Sequence, residues 1–422
     1  MWPPWPLFSR SGTPVRRRGK GMQRYLRMTP SGVTTGHWQE GPAVSFVAPA
    51  AGWPTFCPQP LPCFAPVICD FVTALSARLQ QEGRRHPDLA AFGFWLRPRQ
   101  LAREQQRLQG RGPLGVTFHL VPSNVPTVAF YSWLMALLMG NPCVMRLSSR
   151  RDPQQEAMLA ILNELFSLGE WQEIAARTRF IRYDHDEGIT AWLSARCRLR
   201  IIWGGDETIR QVRAIPLAPT AQEVVFPDRR SMAVLDSRWL AGLEPQEWQR
   251  MLDALQQDCT RFNQQACASP TTLCWLGEPD EGLRHRLLEA LFAPFAADPA
   301  LAMERLIHSQ QNAAEQGAMK VTGLPGVTLL TPTSTLRLAH VGGGTVAEFV
   351  ADTLNELLAQ PWDMQTCVWV GGDRGGVEAA LPTAPTCRID RVVAPGQALA
   401  FEWHWDGIDM LQLCSRGLSR RE

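Results

Sequence analysis

The chain has 422 residues, of which 45% are hydrophobic and 19% are charged, and its formal net charge is +2. This length is too great for one ordinary core and is enough for two α/β domains with a cleft between them. The small net charge creates no field strong enough to favour nucleic acid as the main partner. We therefore expect a globular protein that does not act on nucleic acid.

Three features concern the cellular location of the chain. The longest apolar stretch, residues 125–139, is shorter than the about 20 residues needed to cross a bilayer, so we interpret it as a buried helix. Residues 1–28 join Trp, Pro and Arg without the apolar core and cleavage site of a signal peptide, and we expect them to be disordered. The 11 cysteines are scattered without the spacing of a zinc site, so we expect no metal. Together these features predict a cytoplasmic protein that does not span a membrane.

From Gly115 onwards the sequence alternates between strand and helix patterns, after a helical lead-in that is broken near Pro87 and Pro98. The predicted elements are strand 116–121, helix 127–139, strand 143–147, helix 153–168, strand 179–183, helix 189–195 and strand 199–203. This alternation indicates a parallel sheet covered by helices on both faces. Ligands of such sheets bind beyond the carboxyl ends of the strands, so one rim is the predicted cofactor site.

A second α/β unit is expected to follow the first. Its predicted elements are strand 230–236, helix 245–263, strand 271–276, helices 281–297 and 299–317, strand 327–330, helix 346–360 and strand 366–370. We predict that residues 29–235 form the lead-in and a cofactor-binding domain. Residues 236–385 then form a catalytic domain, and residues 386–422 are a C-terminal segment that completes the fold.

Three cysteines lie near the junction of the two units. Cys259 continues the apolar face of a predicted helix and Cys274 lies inside an apolar strand, so both are expected in the core. Cys267 follows the helix in the loop 264–270, where a thiol can face a cleft. Nearby dipoles or cations can lower the pKa of a loop thiol and make it nucleophilic. The alternative interpretation is a structural loop cysteine.

Several segments resemble those of a known family in the same order. They are residues 115–126, 138–141, 202–207, Asp258 with 264–270, 365–366, 391–396 and 405–407. These segments resemble the fatty acyl-CoA reductases of bacterial bioluminescence (LuxC type), a branch of the aldehyde dehydrogenase superfamily. The resemblance extends over residues 115–416. It implies an aldehyde-dehydrogenase-like α/β fold with two parallel-sheet lobes and an interdomain cleft.

The resemblance also implies a chemistry for two residues. Cys267 would carry an acyl thioester that NADPH reduces to the aldehyde. Asn124 would donate its side-chain amide, together with the Cys267 backbone N–H, to the oxygen that becomes negative when hydride adds. From its own context, Asn124 also fits an Asx turn between two prolines.

The cofactor prediction depends on residues that differ from the superfamily pattern. Arg146 replaces the usual lysine, and Ser149 replaces the glutamate that would repel a 2′-phosphate, so NADPH is favoured over NADH. Arginines at the start of a helix can also be merely solvated. Gly204 and Gly205 would let a phosphate approach a helix N-terminus, although they also suit a tight strand-to-helix turn. The predicted cofactor-binding residues are Arg146, Ser148, Arg150, Gly204 and Gly205.

Segment 225–231 lacks the glutamate that activates water in hydrolytic aldehyde dehydrogenases. Without that base, the acyl group should survive long enough for hydride transfer. The same segment also departs from the luminescence reductases at Pro227, which leaves its role in cofactor contact open.

Histidines and tryptophans supply the remaining candidates. His119, His340 and His404 could protonate a leaving thiol, but each is interpreted as structural because none is adjacent to Cys267 in the sequence. The segment 403–405, with two tryptophans, could line an acyl pocket or simply fill the core.

The sequence therefore predicts an NADPH-dependent reductase of fatty acyl thioesters that takes its substrate from acyl-CoA or an acyl carrier. A partner acyl-transferring synthetase and a homo-oligomer are also expected from the resemblance. Two other hypotheses stay open. One is an acyltransferase that uses Cys267 without reduction, and the other is an inactive cofactor-binding homologue, suggested by the changes at Arg146 and Pro227.

Overall fold

The computed structural model describes residues 36–82, 85–122, 125–316, 319–332 and 342–417. The predicted disorder of residues 1–28 therefore lies outside the described residues, as do Asn124 and His340. Within the described ranges, no helix is both long and apolar enough to cross a bilayer.

The first half of the chain forms one lobe around a six-stranded sheet. Its elements are α1 (Gly36–Gln39), β1 (Ser45–Ala48), α2 (Pro66–Gln81), α3 (Pro87–Trp95), α4 (Pro98–Arg107), β2 (Gly112–Pro113), β3 (Thr117–Leu120), α5 (Val128–Leu138), β4 (Cys143–Leu147), α6 (Pro153–Ser167), α7 (Gln172–Ala176), β5 (Thr178–Arg182), α8 (Glu187–Ser194), β6 (Leu199–Trp203), α9 (Asp206–Arg213) and β7 (Gln222–Phe226). Pro87 and Pro98 occupy the first positions of α3 and α4, where a missing N–H costs nothing.

The strand order of this sheet is β1-β5-β4-β3-β6-β7. All neighbours are parallel except β1, which pairs antiparallel with β5 at the edge. Strands β3 and β6 are buried along their whole length, as a sheet covered by helices on both faces requires. Every residue of α5 is buried, which confirms that the apolar stretch is a core helix.

The second lobe is built on a seven-stranded sheet. Its elements are β8 (Arg230–Asp236), α10 (Ser237–Ala241), α11 (Pro245–Thr260), β9 (Pro270–Leu276), α12 (Glu281–Phe292), α13 (Pro299–Gln316), β10 (Met319–Leu324), β11 (Val327–Pro332), β12 (Thr345–Ala351), α14 (Leu354–Ala359), β13 (Asp363–Val370), α15 (Arg374–Ala380) and β14 (Arg388–Val393). The strand order is β10-β11-β12-β9-β8-β13-β14, with only β10 antiparallel to its neighbour. Two α/β lobes built on largely parallel sheets confirm the predicted fold class.

The predicted helix over residues 346–360 is wrong. Residues 345–351 form β12, which lies between β11 and β9, and only residues 354–359 are helical. Val346 is fully buried, so the apolar run forms a central strand rather than a helix face.

The second sheet begins at Arg230 and ends at Val393, whereas the predicted catalytic domain covers residues 236–385.

The chain after β14 returns to the first lobe. It forms a small hairpin, β15 (His404–Trp405) and β16 (Ile408–Asp409), then α16 (Met410–Leu413) and β17 (Ser415–Arg416), which pairs with β2. Met410, Leu411 and Cys414 are fully buried in the core of the first lobe. This C-terminal segment therefore connects the two lobes.

Candidate active site

Two cavities meet in the cleft between the lobes. The first, of about 680 Å³, has Trp95, Tyr131 and Phe401 in its wall, and we call it the aromatic cavity. The second, of about 570 Å³, lies between the carboxyl ends of the first-sheet strands and the amino ends of β8, β9 and β13, and we call it the strand-end cavity. Seven residues line both cavities: Val125, Val128, Ala266, Cys267, Gln365, Trp405 and Asp406.

Cys267 lies at the junction of these cavities, in the loop before β9. The preceding residues Phe262, Asn263 and Gln264 all have left-handed backbones, with φ of 52°, 52° and 63°. Non-glycine residues adopt this conformation at a cost of about 1–2 kcal/mol each, so neighbouring structure must hold it. This strained turn directs the chain sharply out of α11 and into the cleft.

Two glycines and one glutamine hold the strained turn. The Gln264 side chain donates to the Pro270 carbonyl at 2.7 Å and accepts from the Gly344 N–H at 2.9 Å. The Gly343 N–H donates to the Asn263 carbonyl at 2.9 Å. Gly343 and Gly344 thus support the cysteine loop from a segment that is distant in the chain.

Ser231 fixes the backbone of Cys267 itself. Its hydroxyl donates to the Cys267 carbonyl at 2.7 Å and accepts from the Thr366 N–H at 3.1 Å. Because Ser231 and Thr366 belong to β8 and β13, the loop is tied to two rigid strands. Such support from strands is what keeps a nucleophile in one geometry.

The Cys267 thiol is neutral in this environment. Burial, and after it the Asp406 carboxylate, raise its pKa to about 11, although the Gln365 side chain and the N–H groups of residues 267 and 268 act in the opposite direction. Although the residue as a whole is partly exposed, its exposed surface faces the two cavities. In this loop desolvation therefore outweighs the dipoles that could lower the pKa of the thiol.

The other two cysteines near the junction are core residues, as expected. Cys259 is fully buried in α11, and Cys274 is buried in β9. Burial raises the pKa of both thiols. Neither lines the aromatic or the strand-end cavity.

Four of the five predicted cofactor residues line the strand-end cavity, namely Arg146, Ser148, Gly204 and Gly205. Arg150 does not, and its side chain is exposed. The Arg146 guanidinium contacts the Tyr183 carbonyl at 3.4 Å, and it pairs with no carboxylate of the described residues. A free cation at this rim can bind a phosphate. The first turn of α9 carries Asp206 and Glu207, whose charges oppose a phosphate at that helix N-terminus.

Of the two described histidines among the candidates, His119 is buried in the first lobe and His404 lies at the aromatic cavity. His119 is fully buried between the hydroxyls of Ser132 and Thr117, at 2.7 and 2.9 Å. Burial lowers its pKa to about 3, so it remains neutral. His404 lines the aromatic cavity and is largely exposed.

Gln365 and Asp406 are the side chains that sequence reasoning did not assign. Gln365 lies on β13 and its amide donates to Asp406, which occupies the turn between β15 and β16. One sequence feature could have pointed to Asp406: it precedes Gly407, and Asp-Gly is a strong indicator of a two-residue hairpin turn. It could not show what the tip of that hairpin contacts.

A family model described as acyl-CoA reductase (LuxC) matches residues 96–320. The long-chain acyl-protein thioester reductase of Aliivibrio fischeri is 27% identical over 171 residues, which are 39% of this chain and 33% of that protein. The Vibrio harveyi protein of the same name is 25% identical over 182 residues, which are 42% of this chain and 36% of that protein. The matched region thus spans about a third of the length of these relatives.

The similarity to solved structures covers more of the chain than the similarity to the sequence relatives does. A salicylaldehyde dehydrogenase from Pseudomonas putida G7 covers 83% of this chain and 84% of its own, with a TM-score of 0.61 and 14% identity. A benzaldehyde dehydrogenase from Corynebacterium glutamicum covers 84% of each chain, with a TM-score of 0.60 and 14% identity. These similarities confirm the aldehyde dehydrogenase fold. The family model matches more than half of the residues of this chain, so the chain belongs to the acyl-CoA reductase (LuxC) family.

Proposed function

We propose that this protein reduces an acyl thioester to the aldehyde, with Cys267 as the acyl acceptor and NADPH as the hydride donor. The observation that carries the proposal is that Cys267 lines both cavities. A thiol at this junction can meet an acyl group from one side and a cofactor from the other. Family membership and the aldehyde dehydrogenase fold support the same chemistry.

The aromatic cavity suits the acyl chain. Its walls include Phe94, Trp95, Tyr131 and Phe401, and apolar walls with a few polar groups are typical of sites for apolar ligands. The names of the Aliivibrio and Vibrio relatives describe long-chain acyl-protein thioesters, which favours a fatty acyl group here too. The donor would be acyl-CoA or an acyl carrier, with an acyl-transferring synthetase as a possible partner.

The strand-end cavity fits the dinucleotide. Arg146 and Ser148 would hold the ribose and its 2′-phosphate, and Gly204 and Gly205 would allow close approach of the pyrophosphate. Ser149 also lines this cavity and carries no charge to repel a 2′-phosphate. When bound, NADPH supplies the hydride. We keep Arg150 as a proposed contact on the sequence argument alone.

The protein's own groups would stabilise the negative charge that develops on the acyl oxygen. The Cys267 backbone N–H is one proposed donor, and the Asn124 amide is the second, on the strength of the family resemblance. Fixed donors of this kind lower such barriers by about 3 kcal/mol each. Segment 225–231 contributes no glutamate to activate water, which supports reduction over hydrolysis.

We also propose that the protein acts in the cytoplasm. All 11 cysteines are free, which suits a reducing compartment such as the cytoplasm. A homo-oligomer is proposed from the family resemblance.

Acyl labelling tests the function directly. Incubation with radiolabelled long-chain acyl-CoA should leave one hydroxylamine-sensitive label, which a chase with NADPH should release as aldehyde. Cys267→Ala should abolish the label, because no other thiol lines both cavities. Cys57→Ala, which removes a half-buried thiol outside both cavities, should keep it.

Each result separates the competing hypotheses. A label that NADPH does not release would identify an acyltransferase. Tight NADPH binding without any label would identify an inactive homologue. A label that persists in Cys267→Ala would show that the acyl acceptor is another residue.

A further inference from the structure

Asp406 is held at the tip of a tight hairpin. Strands β15 and β16 pair His404 with Asp409 and Trp405 with Ile408, so only Asp406 and Gly407 form the turn. Both have left-handed backbones, with φ of 50° and 74°, as a type I′ turn requires. The turn therefore presents the Asp406 side chain in one defined position.

The hairpin is anchored on the first lobe. Trp405 packs against Tyr131 and Trp203, with ring centroids 5.2 and 5.1 Å apart. Asp409 forms an ion pair with Arg107 of α4. These contacts fix the tip of the hairpin over the cavity junction, where Asp406 joins Cys267 in the lining of both cavities.

The Asp406 carboxylate is partly buried and forms no ion pair among the described residues. The neutral Gln365 amide donates to it from β13. The charged or titratable groups that face it from the packed elements are Cys267 before β9, Arg229 before β8, and Arg388 and Asp390 on β14. Arg229 is bound by Asp390 at 2.8 Å and Asp363 at 3.0 Å, so its charge is already paired.

The Asp406 carboxylate lines the same two cavities as Cys267, and its charge opposes ionisation of the thiol, so a purely structural role for Asp406 would leave the thiol less reactive. A proton-transfer role makes this arrangement useful, because the carboxylate can accept the proton during attack. Proceeding from the proposed reductase function, we infer that Asp406 removes the Cys267 proton on acylation and returns a proton when the aldehyde is released.

The proton accounting closes for both half-reactions. In acylation, the S–H proton passes to Asp406 as the Cys267 sulfur forms a bond to the acyl carbon, and the departing thiolate of the donor then takes that proton. In reduction, Asp406 first takes a proton from solvent. Bound NADPH would supply a hydride to the acyl carbon; as the C–S bond breaks, the Asp406 proton would pass to the sulfur and restore the Cys267 thiol.

The electrostatics of the two groups agree with these roles. Burial raises the pKa of Asp406, which makes the carboxylate a stronger base and its protonated form more available. Burial also raises the pKa of Cys267 to about 11, so free thiolate is scarce at pH 7 and attack needs a proton acceptor. In its protonated form before hydride transfer, Asp406 cannot activate water against the acyl enzyme.

Asp406→Asn separates this role from a structural one. The amide keeps the shape and can still accept from Gln365, but it cannot take a proton. Alkylation of Cys267 by iodoacetamide at pH 7 should become faster, because a negative charge beside the thiol is removed. Acylation by acyl-CoA, measured as label incorporation without NADPH, should slow by about 100-fold or more.

The decisive result is that alkylation becomes faster while acylation becomes slower. If both rates rise, Asp406 only suppresses thiolate formation and the inference is wrong; if both fall, Asp406 is structural. Asp253→Asn, which removes an exposed carboxylate of α11 outside both cavities, should leave both rates unchanged. Absence of label on the wild-type protein would instead refute the proposed function.

The wild-type protein provides a second test should Asp406→Asn fail to fold. Its acylation rate should rise with the ionisation of one carboxyl group and then level off at a pH below the pKa of the Cys267 thiol. A rate that keeps rising tenfold per pH unit towards pH 11 would follow thiol ionisation alone and overturn the inference.

Discussion

Arg146 is the one cation of the strand-end cavity with no carboxylate partner among the described residues. Its guanidinium also lies 5.5 Å from the centre of the Tyr183 ring, which helps to hold it at the rim. A planar guanidinium can bind a phosphate through two parallel hydrogen bonds, which a lysine cannot do. The proposed preference for NADPH depends on this arginine.

Arg146→Gln should weaken NADPH binding by about 10- to 100-fold, the value of a charge-assisted hydrogen bond. NADH binding should change much less, because NADH lacks the 2′-phosphate. Fluorescence titration with both nucleotides measures the difference, and Arg150→Gln shows whether the exposed neighbour contributes. Equal weakening for the two nucleotides would mean that Arg146 does not contact the 2′-phosphate.

The loop that carries Cys267 depends on a second loop far away in the chain. Gly344 has φ of 93°, and a Cβ there would lie 2.3 Å from the Gly326 carbonyl oxygen. Gly343 has φ of 57° and donates to Asn263. Only glycine fits both the backbone angle and the close approach at residue 344.

Gly344→Ala should lower the free energy of unfolding by about 3 kcal/mol, because it combines backbone strain with a steric clash. It should also change the alkylation rate of Cys267, since the Gly344 N–H supports Gln264. Gly323→Ala is the matched control, because a Cβ at that position meets no atom within 4 Å. Denaturant unfolding of both variants measures the change in stability, and equal stabilities would show that residue 344 tolerates a side chain. An alkylation rate equal to that of the wild-type protein would show that this loop is not coupled to the cysteine.

The C-terminal segment is attached to both lobes by hydrogen bonds. Asp258 of α11 accepts hydrogen bonds from the N–H groups of Gly396 and Ala398, at 2.6 and 3.0 Å. Further along, the Asn141 amide donates to the Cys414 carbonyl at 2.7 Å. Since Asp406 lies between these attachments, the position of the proposed proton carrier depends on both lobes.

Asp258 should make stability depend on pH. Burial raises its pKa from 3.8 to about 6, so the folded state binds a proton that the unfolded state has lost. Its contribution is complete below about pH 4 and is lost as the pH rises through 6, by about 3 kcal/mol in all.

Comparison with Asp258→Asn isolates this effect, because the amide does not titrate. The stability advantage of the wild-type protein over the variant should shrink between pH 4 and pH 7. Asp253→Asn, an exposed carboxylate on the same helix, is the control. Parallel pH curves for wild type and Asp258→Asn would contradict the prediction.

Much of the fold follows from local sequence patterns. The bounds of β4, β6 and β8 agree with the predicted strands, because apolar runs and turn residues act within a few neighbours. The same local context distinguished Cys267 from the core residues Cys259 and Cys274. It failed over residues 346–360, where an apolar run without a clear period became the central strand β12 because its neighbours β9 and β11 bury it.

The chemistry around the thiol was decided by tertiary structure. Gln365, Asp406 and Gly344 reach the cysteine loop from segments that are distant in the chain, and no local pattern specifies such contacts. The pKa of Cys267 depends on how completely these segments exclude water and on where the Asp406 charge lies. The sequence alone determined most of the elements and identified Cys267 as the candidate thiol. Only packing could determine the ionisation and the partners of that thiol, because desolvation and Coulomb interactions depend on distance in space.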